Sequence, residues 1–196
     1  VKIAPMSSKL GTFKTLLQTR LVLNRKGKPN LLQLPDMNDR NKKAATEMLG
    51  LLAVSAWEMG DENRCIMSCL HQFELTVKHG LSEWAPYAIT TMGGTEAFLG
   101  NMESAFEFGK IARDMMMERP EFEKAYAAAG CPLYTVVWHL KRPLLECLEG
   151  LHTASRVGMK CGDSFYACFA SRSWGILGVF VGKTLVDHER YVLQPK

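Results

Sequence analysis

Apolar positions recur along this chain every three or four residues and almost nowhere every second one. That rhythm predicts helices and leaves no sustained period-two run to build strands from. Leu10, Phe13, Leu17 and Leu21 mark one stripe behind Ser7 or Ser8, so residues 7–25 are expected as a helix that Gly27-Lys28-Pro29-Asn30 ends. After a loop with Pro35, Asn38 or Asp39 is placed to cap a helix to about Glu58, its side chain accepting from an orphan backbone N–H. Gly60-Asp61 breaks the chain, and a helix over 62–78 is expected to end at His79-Gly80 in a left-handed cap. Ser82–Leu99, with Pro86 in the first turn, and Met102–Glu118 form the next pair. Pro120 opens a helix to about His139 that Gly130-Cys131-Pro132 is expected to kink or break. Pro143 opens one to about Lys160, Asp163 caps one to Val181 that Gly182 ends, and a final helix starts near Lys183 and frays by Tyr191.

This beat of helix, short turn and helix calls for a search for repeats. Shifting the chain by 82 residues lays Gly80 on Gly162, Ala85 on Ala167, Ala88 on Ala170, Gly93 on Gly175, Phe98 on Phe180 and Gly100 on Gly182. Half that shift is the length of one helical hairpin with its turns. The expected fold is therefore all-α, an α-solenoid of about four helical hairpins in residues 38–196, preceded by a basic N-terminal helix and loop in residues 1–37. Ala105, Gly109 and Ala112 fall on one stripe, where side chains without bulk would let a helix carrying Gly93 approach closely.

Charge sharpens the boundary between these two parts. The net charge of the 196 residues is +4, but residues 1–43 carry +8 and residues 44–196 carry −4. The basic segment has Phe13 as its one aromatic and no nucleic-acid motif, so it reads as a solvated or domain-facing arm, and no nucleic-acid partner is expected. No signal-peptide pattern is visible, and the apolar run Trp174–Val181 is too short for a membrane span, which predicts a cytoplasmic protein. The chain begins at Val1 and is expected to be part of a longer polypeptide. The six cysteines form no Cys-x-x-Cys pair and are expected as free thiols.

Candidate chemistry is sparse. Gly178–Thr184, GVFVGKT, has one residue too few between its glycines for a phosphate-cradling loop and follows a helix rather than a strand. Cys65 and Cys69 share a helix face, but His71 points elsewhere, so no metal site is expected. No cofactor and no catalytic residue is assigned. Met115-Met116-Met117 is read as gap-filling between hairpins. Trp84, Tyr87, Trp138, Tyr166 and Trp174 are expected mainly in the core, and any left exposed would be an anchor for a partner. The partner-binding candidates are Trp84, Tyr87, Trp138, His139, Lys141 and Arg142.

Two resemblances follow from the residues. Met92-Gly93, Gly100-Asn101, Ala105 and Ala112 resemble the tetratricopeptide pattern, with Glu96 and Gly109 standing where its aromatics would be. The stretches SKLGTFKTLLQTR (8–20), LLQLPDMNDRNKKAATEMLGLLAVSAW (31–57), VKHGLSEWAPYA (77–88), LGNMESAFEFGKIA (99–112) and KRPLLECLEGLHTASRVGMKCGDSFYACFA (141–170) resemble one family. It is the helical region that follows the ATPase module in large multi-domain signalling proteins. Those proteins combine a Ser/Thr-kinase-like domain, an AAA/STAND-type ATPase, this array, sensor domains and often a histidine kinase. The resemblance implies a non-catalytic scaffold or regulatory segment that couples an ATPase module to output domains or holds a partner protein. A stand-alone peptide-binding module, and an all-α ligand-binding or enzymatic domain with a pocket between hairpins, are the alternatives.

Overall fold

A computed structural model of the chain describes Thr19 and residues 31–193. Apart from Thr19, the helix expected over 7–25 lies outside the described residues. Among those described the protein is all-α: α1 Arg40–Glu58, α2 Glu62–His79, α3 Ala85–Phe98, α4 Met102–Glu118, α5 Tyr126–Pro132, α6 Leu144–Cys161, α7 Ser164–Phe180 and α8 Leu185–Leu193. The single described β pairing is a bridge between Asp36 and Leu81. No helix among the described residues is long and apolar enough to cross a membrane. The chain divides into two compact units, residues 1–88 and 89–196, with the division falling early in α3.

Helix starts follow the short polar side chains. Asp39 accepts from the Asn41 and Lys42 backbone N–H groups, Asp61 from Arg64, Asn101 from Ser104 and Asp163 from Tyr166. Each satisfies a donor that the first turn leaves without an intrahelical partner. Thr184 and Asp187 bond reciprocally at the head of α8, a capping box with Asp in the acidic position. Helix ends follow glycine. Gly60, Gly80 and Gly100 stand twenty residues apart, as do Gly162 and Gly182, and all five have positive φ. That conformation costs a glycine little, so each can turn the chain back after one helix length.

In the first unit α1 and α2 form a hairpin. Gly50 lets them close up: a Cβ there would lie 2.9 Å from Gln72 Nε2 and 3.0 Å from the Trp84 ring. A polar core sits beside this contact. Gln72 donates to the Thr46 carbonyl at 2.8 Å, and the Thr46 and Ser82 hydroxyls are 3.0 Å apart. Residues 31–37, grouped by sequence with the N-terminal segment, are tied into this unit. Met37 N–H bonds the Leu81 carbonyl and Leu81 N–H bonds the Pro35 carbonyl, both at 2.8 Å. Met37 is fully buried, and Gly80 passes so close that a Cβ would meet the Pro35 oxygen at 2.1 Å. The end of α2 is therefore not the left-handed cap expected: Gly80 has φ 101° and ψ −174°, an extended exit that feeds the bridge.

In the second unit the small-residue stripe of α4 lies in seams. Ala105, Gly109 and Ala112 are buried. A Cβ on Gly93 would meet the Ala105 oxygen at 3.0 Å and Phe108 Cβ at 3.2 Å, while one on Gly109 would meet Val137 Cγ1 at 2.6 Å. Helix α6 lies against both α5 and α7, and α5 also touches α7. Gly158 marks the place where these three meet, its absent Cβ lying 2.8 Å from Ala127 Cβ and 3.0 Å from Ala167 Cβ.

The helix expected over 120–139, kinked or broken at Gly130-Cys131-Pro132, does end at Pro132, and the segment as a whole is four short pieces: a 3-10 turn Pro120–Ala125, α5, a π-helical turn Leu133–Val137 and a 3-10 turn Trp138–Leu140. Proline explains the change. Pro132 has no N–H to donate back into the ladder, so the hydrogen bonding slips by one register after it. The Trp138 N–H bonds the Leu133 carbonyl, five residues back. The wider turn swings Tyr134 flat over Gly150, where a Cβ would lie 2.3 Å from the ring.

Candidate functional site

Four of the partner-binding candidates converge on the turn between the π-helical piece and α6. Trp138 is buried rather than presented to solvent. Its indole N–H donates to Glu146 at 3.1 Å. Its ring packs on Phe106 with centroids 5.2 Å apart and on the edge of Tyr134 at 6.2 Å, and the Arg113 guanidinium lies 5.1 Å from its centroid. A cation over the π-face is attracted by the ring quadrupole, which fixes Arg113 against the indole. His139, Lys141 and Arg142 are exposed around this core.

The charges in this turn are answered from within the unit. Arg142 grips Glu146 through two nitrogens, at 3.0 and 2.9 Å, and Lys141 pairs with Glu103. The Arg142 hydrogen bond, with that from Trp138, holds the Glu146 carboxyl below its ordinary pKa. Desolvation pushes His139 below the usual imidazole value. Deeper in, burial raises the pKa of Tyr126 and Tyr134, whose hydroxyls interact with one another. The arrangement is thus a closed lock on the turn. An acidic partner would have to displace Glu103 and Glu146 to reach Lys141 and Arg142.

The remaining candidates lie in the first unit. Tyr87 is buried, and Trp84 is half-buried, packed edge-on against Tyr87 with centroids 5.6 Å apart. Tyr87 and Trp138 therefore serve as core side chains and offer no anchor at the surface. Tyr166 and Trp174 are buried as well. Trp174 stacks on Tyr191 of α8 at 3.9 Å and 12°. The GVFVGKT stretch forms no cradle: Gly178 is buried in the last turn of α7, and Thr184 is engaged with Asp187. All six cysteines are free thiols; burial drives Cys131 up to about 12 and Cys147 up to about 11, while Cys168 is exposed.

The feature that sequence reasoning missed is the outer face of α7. Its inner face, Ala167, Ala170, Trp174 and Gly178, is buried. Opposite it, Phe165, Ile176, Val179 and Phe180 are 50–75 % exposed. Cys168 and Arg172 are exposed on the same side, with Phe169 half-buried between them. These seven residues fall within about a third of the helix circumference. The signal is present in the sequence as an i, i+4, i+11, i+15 run of Phe165, Phe169, Ile176 and Phe180. It was hidden because a helix apolar on both faces looks fully buried when only its sequence is inspected. Compared with known proteins, the chain matches no family, no curated sequence and no solved structure.

Proposed function

We propose that this chain is a non-catalytic helical-repeat segment of a multi-domain signalling ATPase or kinase, acting as a scaffold that relays the state of an ATPase module or holds a partner protein. The resemblance of residues 31–57, 77–88, 99–112 and 141–170 to the post-ATPase helical region motivates the reading. The observation that supports it is the spacing of positive-φ glycines, twenty residues apart at Gly60, Gly80 and Gly100 and again at Gly162 and Gly182, with close helix approach at Gly50, Gly93, Gly109 and Gly158. Tetratricopeptide-like hairpins stacked in single file have this character, because each helix needs a place to turn and a place without bulk where its neighbour crosses. Such an array transmits change mechanically, since close-packed seams cannot deform one helix at a time.

Hydrogen exchange on the full-length polypeptide with ATP or ADP tests the coupling. Altered protection along residues 89–193 between the two nucleotides is expected; identical protection sinks it. The outer face of α7 specifically favours the second reading, a module that binds a peptide or helix on its own, because exposed apolar stripes of this length mark interaction surfaces.

A further inference from the structure

We infer that the outer face of α7 docks an amphipathic α-helix of a partner protein, one with an aliphatic stripe and a carboxylate at its centre. The inference rests on the reading of this chain as a repeat segment and names the partner class.

Three observations lead to it. The stripe Phe165, Cys168, Phe169, Arg172, Ile176, Val179 and Phe180 follows helical spacing over almost the whole of α7, which fits an occupant lying along it rather than a small ligand. Arg172 is its single charge and stands at its midpoint, with the guanidinium 5.7 Å from the Phe169 centroid. No acidic residue stands on the stripe. A cation framed by apolar side chains selects an occupant with an anion at that point and apolar contacts to either side.

The third observation is internal. Under the 82-residue shift, Arg172 corresponds to Thr90 and Ile176 to Gly94. Thr90 is fully buried, and a Cβ on Gly94 would lie 3.7 Å from Val136 Cγ1, an ordinary packing distance. At the middle of this register α3 is therefore packed, with Val136 against Gly94, while Phe98, the counterpart of Phe180, is exposed as Phe180 is. On α7 the register is open, because α8 packs on the Trp174 side, through Tyr191.

Charge disfavours the two nearest alternatives. In a two-fold antiparallel pairing of α7 with a second copy, the central Arg172 would face its own equivalent, and like charges across an interface are costly. The segment of residues 1–43 carries +8 and would bring further cations to Arg172.

The test is a displayed library of amphipathic helices of about 18 residues, long enough to cover the stripe. The helices have a fixed Leu/Ile stripe and a randomised central position, and are panned on the purified chain and on Arg172→Glu. Enrichment of Asp or Glu on the native chain, switching to Lys or Arg on the variant, is expected. The selected acidic helix should slow alkylation of Cys168 by N-ethylmaleimide at least about tenfold, leaving the half-buried Cys65 and Cys161 as internal references. An Ile176→Asp, Val179→Asp double variant should weaken binding at least about tenfold while its melting temperature stays near native, since both positions are exposed.

The inference is overturned by the absence of any enriched helix, or by enrichment that ignores residue 172. It is equally overturned if the chain sediments as a dimer that the double variant dissociates, which assigns the face to a second copy. A helix selected as described, with nucleotide-independent hydrogen exchange in the full-length protein, would keep the docking face and remove only the coupling role.

Discussion

Replacing Gly158 by Ala is the sharpest probe of the seams. Alanine favours a helix over glycine by about 1 kcal/mol, so in open space this substitution stabilises. Gly158 has no open space. The added methyl would lie 2.8 Å from Ala127 Cβ, 3.0 Å from Ala167 Cβ and 3.1 Å from the Asp163 carbonyl oxygen. Carbon atoms settle at about 3.5–4.0 Å, and none of these three neighbours is the end of a flexible side chain. Relief therefore requires α5 and α7 to back away from α6, and overpacking of that kind costs about 1–3 kcal/mol. At the middle of that range, about 2 kcal/mol, the steric cost exceeds the helical gain for a net loss of about 1 kcal/mol.

Gly94→Ala is the control, since the same methyl there meets Val136 at an unstrained 3.7 Å. It should gain about 0.5–1 kcal/mol. Both sites lie in the unit of residues 89–196. Urea unfolding followed by circular dichroism should move the midpoint of that unit down by about half a molar for Gly158→Ala, given the usual denaturant slopes, and up by less for Gly94→Ala. Adding Ala127→Gly to Gly158→Ala should cost less than the sum of the two single changes, because the sites share one contact. A midpoint for Gly158→Ala at or above native would refute the claim that three helices meet at this residue without slack.

Three further outcomes follow from other parts of the structure. Thr46→Val should destabilise the first unit by about 1–2 kcal/mol, because it leaves the buried Ser82 hydroxyl without its partner; thermal melting of the variant checks this. Alkylation at mildly alkaline pH should modify Cys168 first and spare Cys131 and Cys147 until denaturant is added, as mass spectrometry of quenched samples would show, since burial keeps both as thiols. His139 has its pKa depressed below 6.5 by desolvation, so the unfolded chain binds its proton more readily than the folded one. Its contribution to stability is present above pH 6.5 and is lost as pH falls from there through the folded value, so His139→Gln should lose less melting temperature on acidification than the native chain.

The parts of this fold legible in the sequence are those decided within a few residues. Asp39, Asp61, Asn101 and Asp163 cap because their carboxylate or amide oxygens reach an N–H two or three positions on. Gly100 and Gly182 end helices because their own φ permits it. The broken segment 120–140 was half legible: Pro132 announces a defect, but whether a kink or a slipped π-helical register answers it depends on Tyr134 finding Gly150 across the seam. The polar core of the first unit was not legible, since Gln72 and Thr46 are 26 positions apart and Thr46 and Ser82 are 36 apart. Burial was the hardest to read. Trp138 and Phe180 are both large aromatics near helix ends, yet one is 6 % exposed and the other 75 %. Spacing assigns each to a face but carries no information about what lies opposite. Trp138 is enclosed by Phe106, Tyr134 and Arg113, which reach it from α4 and from its own segment. The same holds along the chain for Gly94 and Ile176: a Cβ at Gly94 would meet Val136 at 3.7 Å, while Ile176 is half exposed, and neither outcome can be read from the residues on its own helix.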